Sequence, residues 1–245
     1  MDDRTDDAAP PMGTGARLEL NSPLAPASLE RLIVAATRHR PSVVIDHGCG
    51  WGTSLLEALR LCPDARGRGV EVHPPDLARA RDLACELELS ERVEWVEGSS
   101  ADDPTTADLL ISIGAYQAFG SPGEALSALR TRLNPGGRLL FGLEYWQAPP
   151  TEQELTQMWQ GACADDCLSL PEVIATAHEG GWRVLDLHDS TRTEFDAFEV
   201  GHLREREEWL LQHDDATVRT EQDRAWQSWL QGHRYPMGFV TLLLG

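Results

Sequence analysis

Residues 43–52 read Val43-Val44-Ile45-Asp46-His47-Gly48-Cys49-Gly50-Trp51-Gly52. A short, continuously apolar run passes into an acid and then into glycines at alternate positions. The apolar run suits a strand buried on both faces. Alternate glycines let the backbone turn sharply and approach a ligand with no Cβ in the way. Beyond them, Leu55, Leu56 and Leu59 have helical spacing, so the turn opens onto a helix N-terminus with free N–H groups and a positive dipole end. Glu71 follows near the C-terminal end of a second apolar strand, residues 69–72. An acid about 20 residues on from such a turn suits paired ribose hydroxyls.

Upstream, Leu29, Leu32, Ile33 and Ala36 predict an amphipathic helix with Ser28 as its N-cap, closed before Pro41. Downstream, a helix over residues 76–89, strands over 93–96 and 109–111 and a helix over 125–133 lead to a stop at Asn134-Pro135-Gly136-Gly137, then a strand over 138–143. Such alternation implies a parallel sheet covered on both faces. After Pro150 come helices near 152–159 and 171–178, a strand at 182–187, charged helical stretches at 195–212 and 221–230, and a final apolar strand at 239–244. Residues 1–15 are acidic, rich in Pro and Gly, and predict a disordered tail; residues 16–245 predict a single domain.

Of the 245 residues, 21 are basic and 40 acidic, for a net charge of −19. All the basic residues are arginines. The absence of lysine removes Schiff-base, pyridoxal-phosphate and phosphate-loop-lysine chemistry. The charge balance disfavours a polyanionic partner such as nucleic acid. No apolar run approaches the roughly 18 residues of a membrane span, and Met1-Asp2-Asp3-Arg4 is unlike a signal peptide. The 5 cysteines form no small-scaffold pattern and suit reduced thiols in the cytoplasm. Cys163 and Cys167, read as one turn apart on a helix, are too few for a closed zinc site, and no metal is expected.

A dinucleotide fingerprint would place its last glycine where Thr53 stands. The spacing Gly48-x-Gly50-x-Gly52, preceded by Asp46, instead resembles the first motif of class I S-adenosylmethionine-dependent methyltransferases. The resemblance runs from about residue 27 to 245. It implies a Rossmann-like, mostly parallel seven-stranded sheet with helices on both faces, an antiparallel last strand, and a helical lid at about 190–234 inserted before it. The implied cofactor is S-adenosyl-L-methionine. Asp46, His47, Gly48, Cys49, Gly50, Gly52 and Thr53 would surround its amino-acid end, Glu71 and Val72 the ribose, and Ser99, Ser100 and Ala101 the adenine. Many members carry Asp where Ser99 stands, which leaves the adenine amino group to Ser100, Asp102 or backbone.

Ile113, Gly114 and Ala115 fall in the family's fourth motif, here in the small-molecule form rather than the Asn/Asp-Pro-Pro-Tyr form of enzymes that methylate DNA amino groups. Leu133-Asn134-Pro135-Gly136-Gly137 is similar to the family's loop into strand five. Gly114-Ala115, Tyr145-Trp146 and Asp196-x-Phe198-Glu199 resemble a group of bacterial small-molecule methyltransferases. Candidates beside the transferred methyl are Tyr116, Glu144 and Tyr145; candidates for the acceptor are Gln117, Trp146, Glu199 and His202. The two tyrosines equally suit packing with a tethered hydroxyl, and the two histidines, His47 and His202, suit packing or solvation. The expectation is methyl transfer to an oxygen or nitrogen of a small molecule, with neither nucleic acid nor membrane as partner. A non-catalytic cofactor-binding protein and, against the glycine spacing, an NAD-dependent oxidoreductase are the other readings; the oligomeric state stays open.

Overall fold

The apolar run at residue 43 becomes β1 (Val43–His47) in a computed structural model that describes residues 8–245. The strands that follow are β2 (Arg66–Glu71), β3 (Val93–Glu97), β4 (Ala107–Ile113), β5 (Leu133–Trp146), β6 (Val184–Asp189) and β7 (Met237–Leu244). They form one sheet in the order β3-β2-β1-β4-β5-β7-β6. Neighbours from β3 to β5 are parallel, and β7 runs antiparallel between β5 and β6. After β3 the chain crosses β1 to place β4 on its other side, so the carboxyl ends of β1 and β4 border a crevice, the place where open α/β sheets bind ligands.

Successive residues of a strand face opposite ways, and the two cores follow from that. Val44, Leu109 and Ile111 meet Leu32 and Ile33 of α1 (Pro26–Ala36) and Leu55 and Leu59 of α2 (Thr53–Leu61), with Ala84 of α3 (Pro74–Glu86) beside them. Ile45, Leu110 and Phe141 meet Leu126 and Leu129 of α4 (Pro122–Thr131) and Val173 of α6 (Leu170–Glu179). A third cluster, Trp146, Met158, Phe195, Trp229 and Met237, joins the end of β5 to α5 (Glu152–Gln157), α7 (Arg192–Leu210) and the end of α8 (Ala216–Gln227).

Several expected boundaries move for local reasons. The first helix starts at Pro26, where proline's missing N–H costs nothing; Ser28 lies in its first turn and is not the cap. Ser121, Thr151, Ser169 and Thr191 each form a capping box with the glutamate three residues on, which starts α4 and α7 ahead of their first apolar residues. Asn134 to Gly137 is a bulge inside β5: Leu133 pairs with Ala107, and pairing resumes at Arg138 with Leu109. Cys163 and Cys167 are both in extended conformation, so they do not share a helical turn as expected. Beyond Gln227, α8 passes into a π-helix, Ser228–His233.

The expected disordered tail is corrected in part. Residues 1–7 lie outside the described residues. Within the rest of the tail, the Thr14 hydroxyl donates to Glu205 and the Gly13 carbonyl accepts from His202 Nδ1 at 3.0 Å, both on α7. Farther on, Leu20 and Leu24 are buried in the first core. Among the described residues, no helix is long and apolar enough to cross a membrane.

Candidate functional site

The glycine turn fills the crevice. Gly48, Gly50 and Gly52 have φ of 76°, 49° and 74°, the left-handed region that side chains disfavour. At Gly48 an added β-carbon would also overlap the Ala115 methyl. The Gly48 and Cys49 N–H groups both donate to the Val70 carbonyl, at 2.8 and 3.0 Å, which stitches the turn to β2. At the end of β2, Glu71 Oε2 accepts from Gly50 N–H at 3.0 Å, and Oε1 accepts from Val72 and His73 N–H at 2.8 and 3.0 Å. Three backbone donors therefore fix this carboxylate.

A cavity of about 350 Å³ opens here. Asp46, Gly48, Cys49, Gly50 and Thr53 line it from the turn, and Glu71 and Val72 from the end of β2. Ser100 joins them from beyond β3, and Ile113, Gly114 and Ala115 from the end of β4. Gln117, expected beside the acceptor, is on the same wall. Four of the residues expected around the cofactor are not. Gly52 is off the wall and packs against the Trp95 ring. His47 is fully buried on the other face of β1, edge-on to Phe119 at 5.8 Å; burial lowers its pKa to about 4, with the Arg132 charge acting the same way. Ser99 Oγ accepts from Ala101 N–H at 3.2 Å, a local cap that keeps both residues off the wall.

Sequence reasoning missed Leu20, Asn21 and Ser22, which close the cavity from the N-terminal segment, and Trp51 and Asp76. The Trp51 indole donates to Asp76 Oδ1 at 3.0 Å, and the Arg79 guanidinium stacks 3.6 Å from the indole ring centre. Trp51 lay within the glycine motif itself. Nothing in the pattern around residue 20 marks that segment as a wall.

Asp46, Glu71 and Asp76 put three carboxyls on the cavity, and no Arg or His lines it among the described residues. Burial raises the Asp46 pKa to about 8, the Glu71 charge adds to the rise, and the Leu55 N–H opposes it. Burial, then Asp46 and Glu71, push the Cys49 thiol far up, so it stays protonated. Such a wall suits a cationic ammonium or sulfonium and repels a pyrophosphate. Among the described residues no group of three or more His, Cys, Asp or Glu is placed to hold a metal ion.

Beside the cavity, Tyr116 OH donates to Glu144 Oε1 at 2.8 Å, and Gln117 Nε2 donates to the same oxygen at 3.0 Å. Burial raises the Tyr116 pKa, with the Glu144 charge acting the same way, so the hydroxyl is a donor to Glu144 and not a base. Tyr145 and Trp146 correct the expectation. Tyr145 OH donates to Asp189 Oδ1 at 2.8 Å, and the Trp146 indole donates to the Ala164 carbonyl at 2.7 Å; both are buried and off the cavity wall. On α7, Glu199 Oε1 lies 3.3 Å from His233 Nε2, and His202 meets Phe198 edge-on at 4.6 Å. Neither Glu199 nor His202 lines the cavity.

The fold is the Rossmann-like fold of methyltransferases. Residues 45–139 match a family model described as a methyltransferase domain. The chain is 28% identical over 184 residues to the uncharacterized protein YjhP of Escherichia coli K12, covering 73% of this chain and 74% of YjhP. It is 26% identical over 131 residues to the malonyl-[acyl-carrier protein] O-methyltransferase of Halalkalibacterium halodurans, covering 50% of this chain and 45% of that one. A methyltransferase from Geobacter sulfurreducens, crystallised with S-adenosyl-L-homocysteine, shares the fold with a TM-score of 0.84 at 24% identity, over 95% of this chain and 96% of that one. Residues 45–139 thus resemble a methyltransferase domain, and the chain as a whole shares the fold of S-adenosylmethionine-dependent methyltransferases.

Proposed function

We propose that the protein moves the methyl group of S-adenosylmethionine to an oxygen or nitrogen of a small molecule. The observation that carries this is the acid-walled cavity bordered by Gln117, whose amide shares Glu144 Oε1 with the Tyr116 hydroxyl. Bound in that cavity, the cofactor supplies an electrophilic methyl on a positively charged sulfur.

The chain's own residues then have separable tasks. Asp46 and Glu71 favour positive charge inside the wall. Glu71, its position set by three N–H donors, keeps one lone-pair site, on Oε2, for a ribose hydroxyl. Val72, Gly98 and Ser100 flank the place left for adenine. Ile113, Gly114 and Ala115 form the opposite wall at the end of β4. Gln117 and Glu144 orient the acceptor, and holding two reactants in line supplies much of the rate in such a displacement. The net charge of −19 works against polyanionic acceptors.

Calorimetry with S-adenosylhomocysteine should give a saturable heat; none at hundreds of micromolar ligand overturns the proposal. Incubation with methyl-labelled cofactor and a metabolite extract, followed by mass spectrometry, should yield a labelled small molecule. Label found only on protein or nucleic acid overturns the acceptor class.

A further inference from the structure

Most acceptor sites of Glu71 are already taken. Its Oε1 accepts from the Val72 and His73 N–H groups, and its Oε2 from the Gly50 N–H. A carboxylate offers about four acceptor sites, so one remains, on Oε2. A ribose presents two neighbouring hydroxyls, and a donor buried against protein without a partner is costly. Glu71 therefore serves one hydroxyl and leaves the other to a second group on the wall.

Asp76 has the free acceptors. It lies in the first turn of α3, the helix that follows β2, and lines the same cavity as Glu71. Its Oδ1 accepts from the Trp51 indole N–H at 3.0 Å. Its Oδ2 lies 3.3 Å from His73 Nδ1, a charge pair without a hydrogen bond, so acceptor sites stay open on both oxygens. The glycine turn sets the two acids side by side. Gly50 N–H holds Glu71, and the next residue, Trp51, holds Asp76. Trp51 is itself fixed: the Arg79 guanidinium stacks 3.6 Å from its ring centre and donates to the Leu18 carbonyl at 2.9 Å, and the ring edge meets Gly15. Burial, then the charges of Asp46, Glu71 and Asp76, push up the thiol of Cys49, the residue before Gly50. Both acids thus act on the same sulfur at the root of the turn.

We infer that Asp76 is a second ribose-binding residue, accepting from one hydroxyl while Glu71 accepts from the other, and that Trp51 positions it. This rests on the methyltransferase proposal and deepens it: two carboxylates read the ribose, one for each hydroxyl. Both O–H groups donate and no proton changes owner. The position favours the ribose over the cofactor's amino-acid end. Asp76 follows β2, as Val72 does, whereas Asp46, Thr53 and Ser54 line the wall at β1 and the start of α2. Such a pair selects an unmodified diol. A phosphate on either oxygen removes a donor and sets negative charge against both acids.

The test is calorimetry on the full chain with S-adenosylhomocysteine and with its 2′-deoxy and 3′-deoxy forms. Each deoxy form should bind wild type about tenfold or more weakly than the parent, through loss of one charge-assisted hydrogen bond. Asp76→Ala should weaken the parent by about tenfold or more and leave one of the two deoxy forms unchanged. Trp51→Phe keeps a ring under Arg79 and removes the donor. It should weaken the parent about threefold or more in the wild-type background and add nothing to Asp76→Ala. If Asp76→Ala folds poorly, Asp76→Asn, whose amide oxygen can keep the indole bond, should show the same ligand pattern more weakly. An equal loss with all three ligands, which a fold defect or a contact to the ligand's ammonium would give, overturns the inference; so does parent affinity unchanged by Asp76→Ala. Adenosine carries the same diol and separates the two proposals. Wild type that binds adenosine with the same Asp76 dependence, yet ignores S-adenosylhomocysteine, strikes the methyltransferase proposal alone; wild type that binds neither strikes both.

Discussion

The two sides of the site are built from different materials. The cofactor side is made of backbone at the ends of β1, β2 and β4, with glycines in left-handed conformation and carboxyls set by N–H groups. The side proposed for the acceptor is made of side chains: the Tyr116 hydroxyl and the Gln117 amide both donate to Glu144 Oε1, from a separate segment of the chain. Backbone at a sheet edge is fixed by the pairing of the strands and barely responds to single side chains. A side-chain assembly can be re-cut residue by residue. The first suits an invariant ligand, the second a changing one.

Separate perturbation of each side tests that contrast. Trp229→Ala should have the largest effect, about 3–5 kcal/mol of stability in denaturant unfolding, since it empties a fully buried site. Affinity for S-adenosylhomocysteine should hold in the folded fraction; a parallel loss would mean that the two sides are one unit. Glu71→Ala should lower that affinity about 10- to 100-fold by calorimetry.

Asp46 gives a pH signature confined to the cofactor side. Its folded pKa, about 8, stands above the ordinary carboxylate value of 3.8. Its contribution to stability is therefore complete below that ordinary value and is lost as pH rises through about 8. A bound cation favours the ionised form, so S-adenosylhomocysteine affinity should climb toward pH 8 by up to about tenfold per unit, with proton release. Asp46→Asn should flatten both slopes; slopes that persist would assign them to another group. Tyr145→Phe is the smallest change, about 1 kcal/mol for the bond to Asp189. It should leave affinity untouched, and any loss of cofactor binding would return Tyr145 to the site.

The same division explains what was legible in the sequence. Strand, turn and helix around residue 48 are written in one segment, so the sheet, the glycine turn and the position of Glu71 could be read without tertiary information. His47 shows the limit of a motif taken whole: it neighbours Asp46, and in a strand neighbours face opposite ways, so one lines the cavity and the other meets Phe119. Ser99 is consumed by a local cap. Tyr145 and Trp146 find partners at Asp189 and Ala164, contacts between distant segments that carry no short-range pattern. Leu20 to Ser22 are illegible for the same reason, and the π-helix at Ser228–His233 has no spacing signal. Helix starts were readable in principle, since four capping boxes stand in the sequence.

β3 lies at the edge of the sheet, paired only with β2, and its residues are partly exposed throughout. Its link to β4 holds a single 3₁₀ turn, Ser100–Asp102, and no α-helix. The face of β2 that such a helix would cover carries instead Arg68, paired with Asp103 at 2.8 Å and with Glu94. Strands with few buried contacts on one side open locally at low free energy. Amide exchange should therefore be fastest in β3 and slowest in β1, although both strands lead into the same cavity. The floor of the cavity is then rigid and its β3 edge soft, and a nucleoside bound as proposed would slow exchange most at Gly98, the residue that follows β3 on the cavity wall.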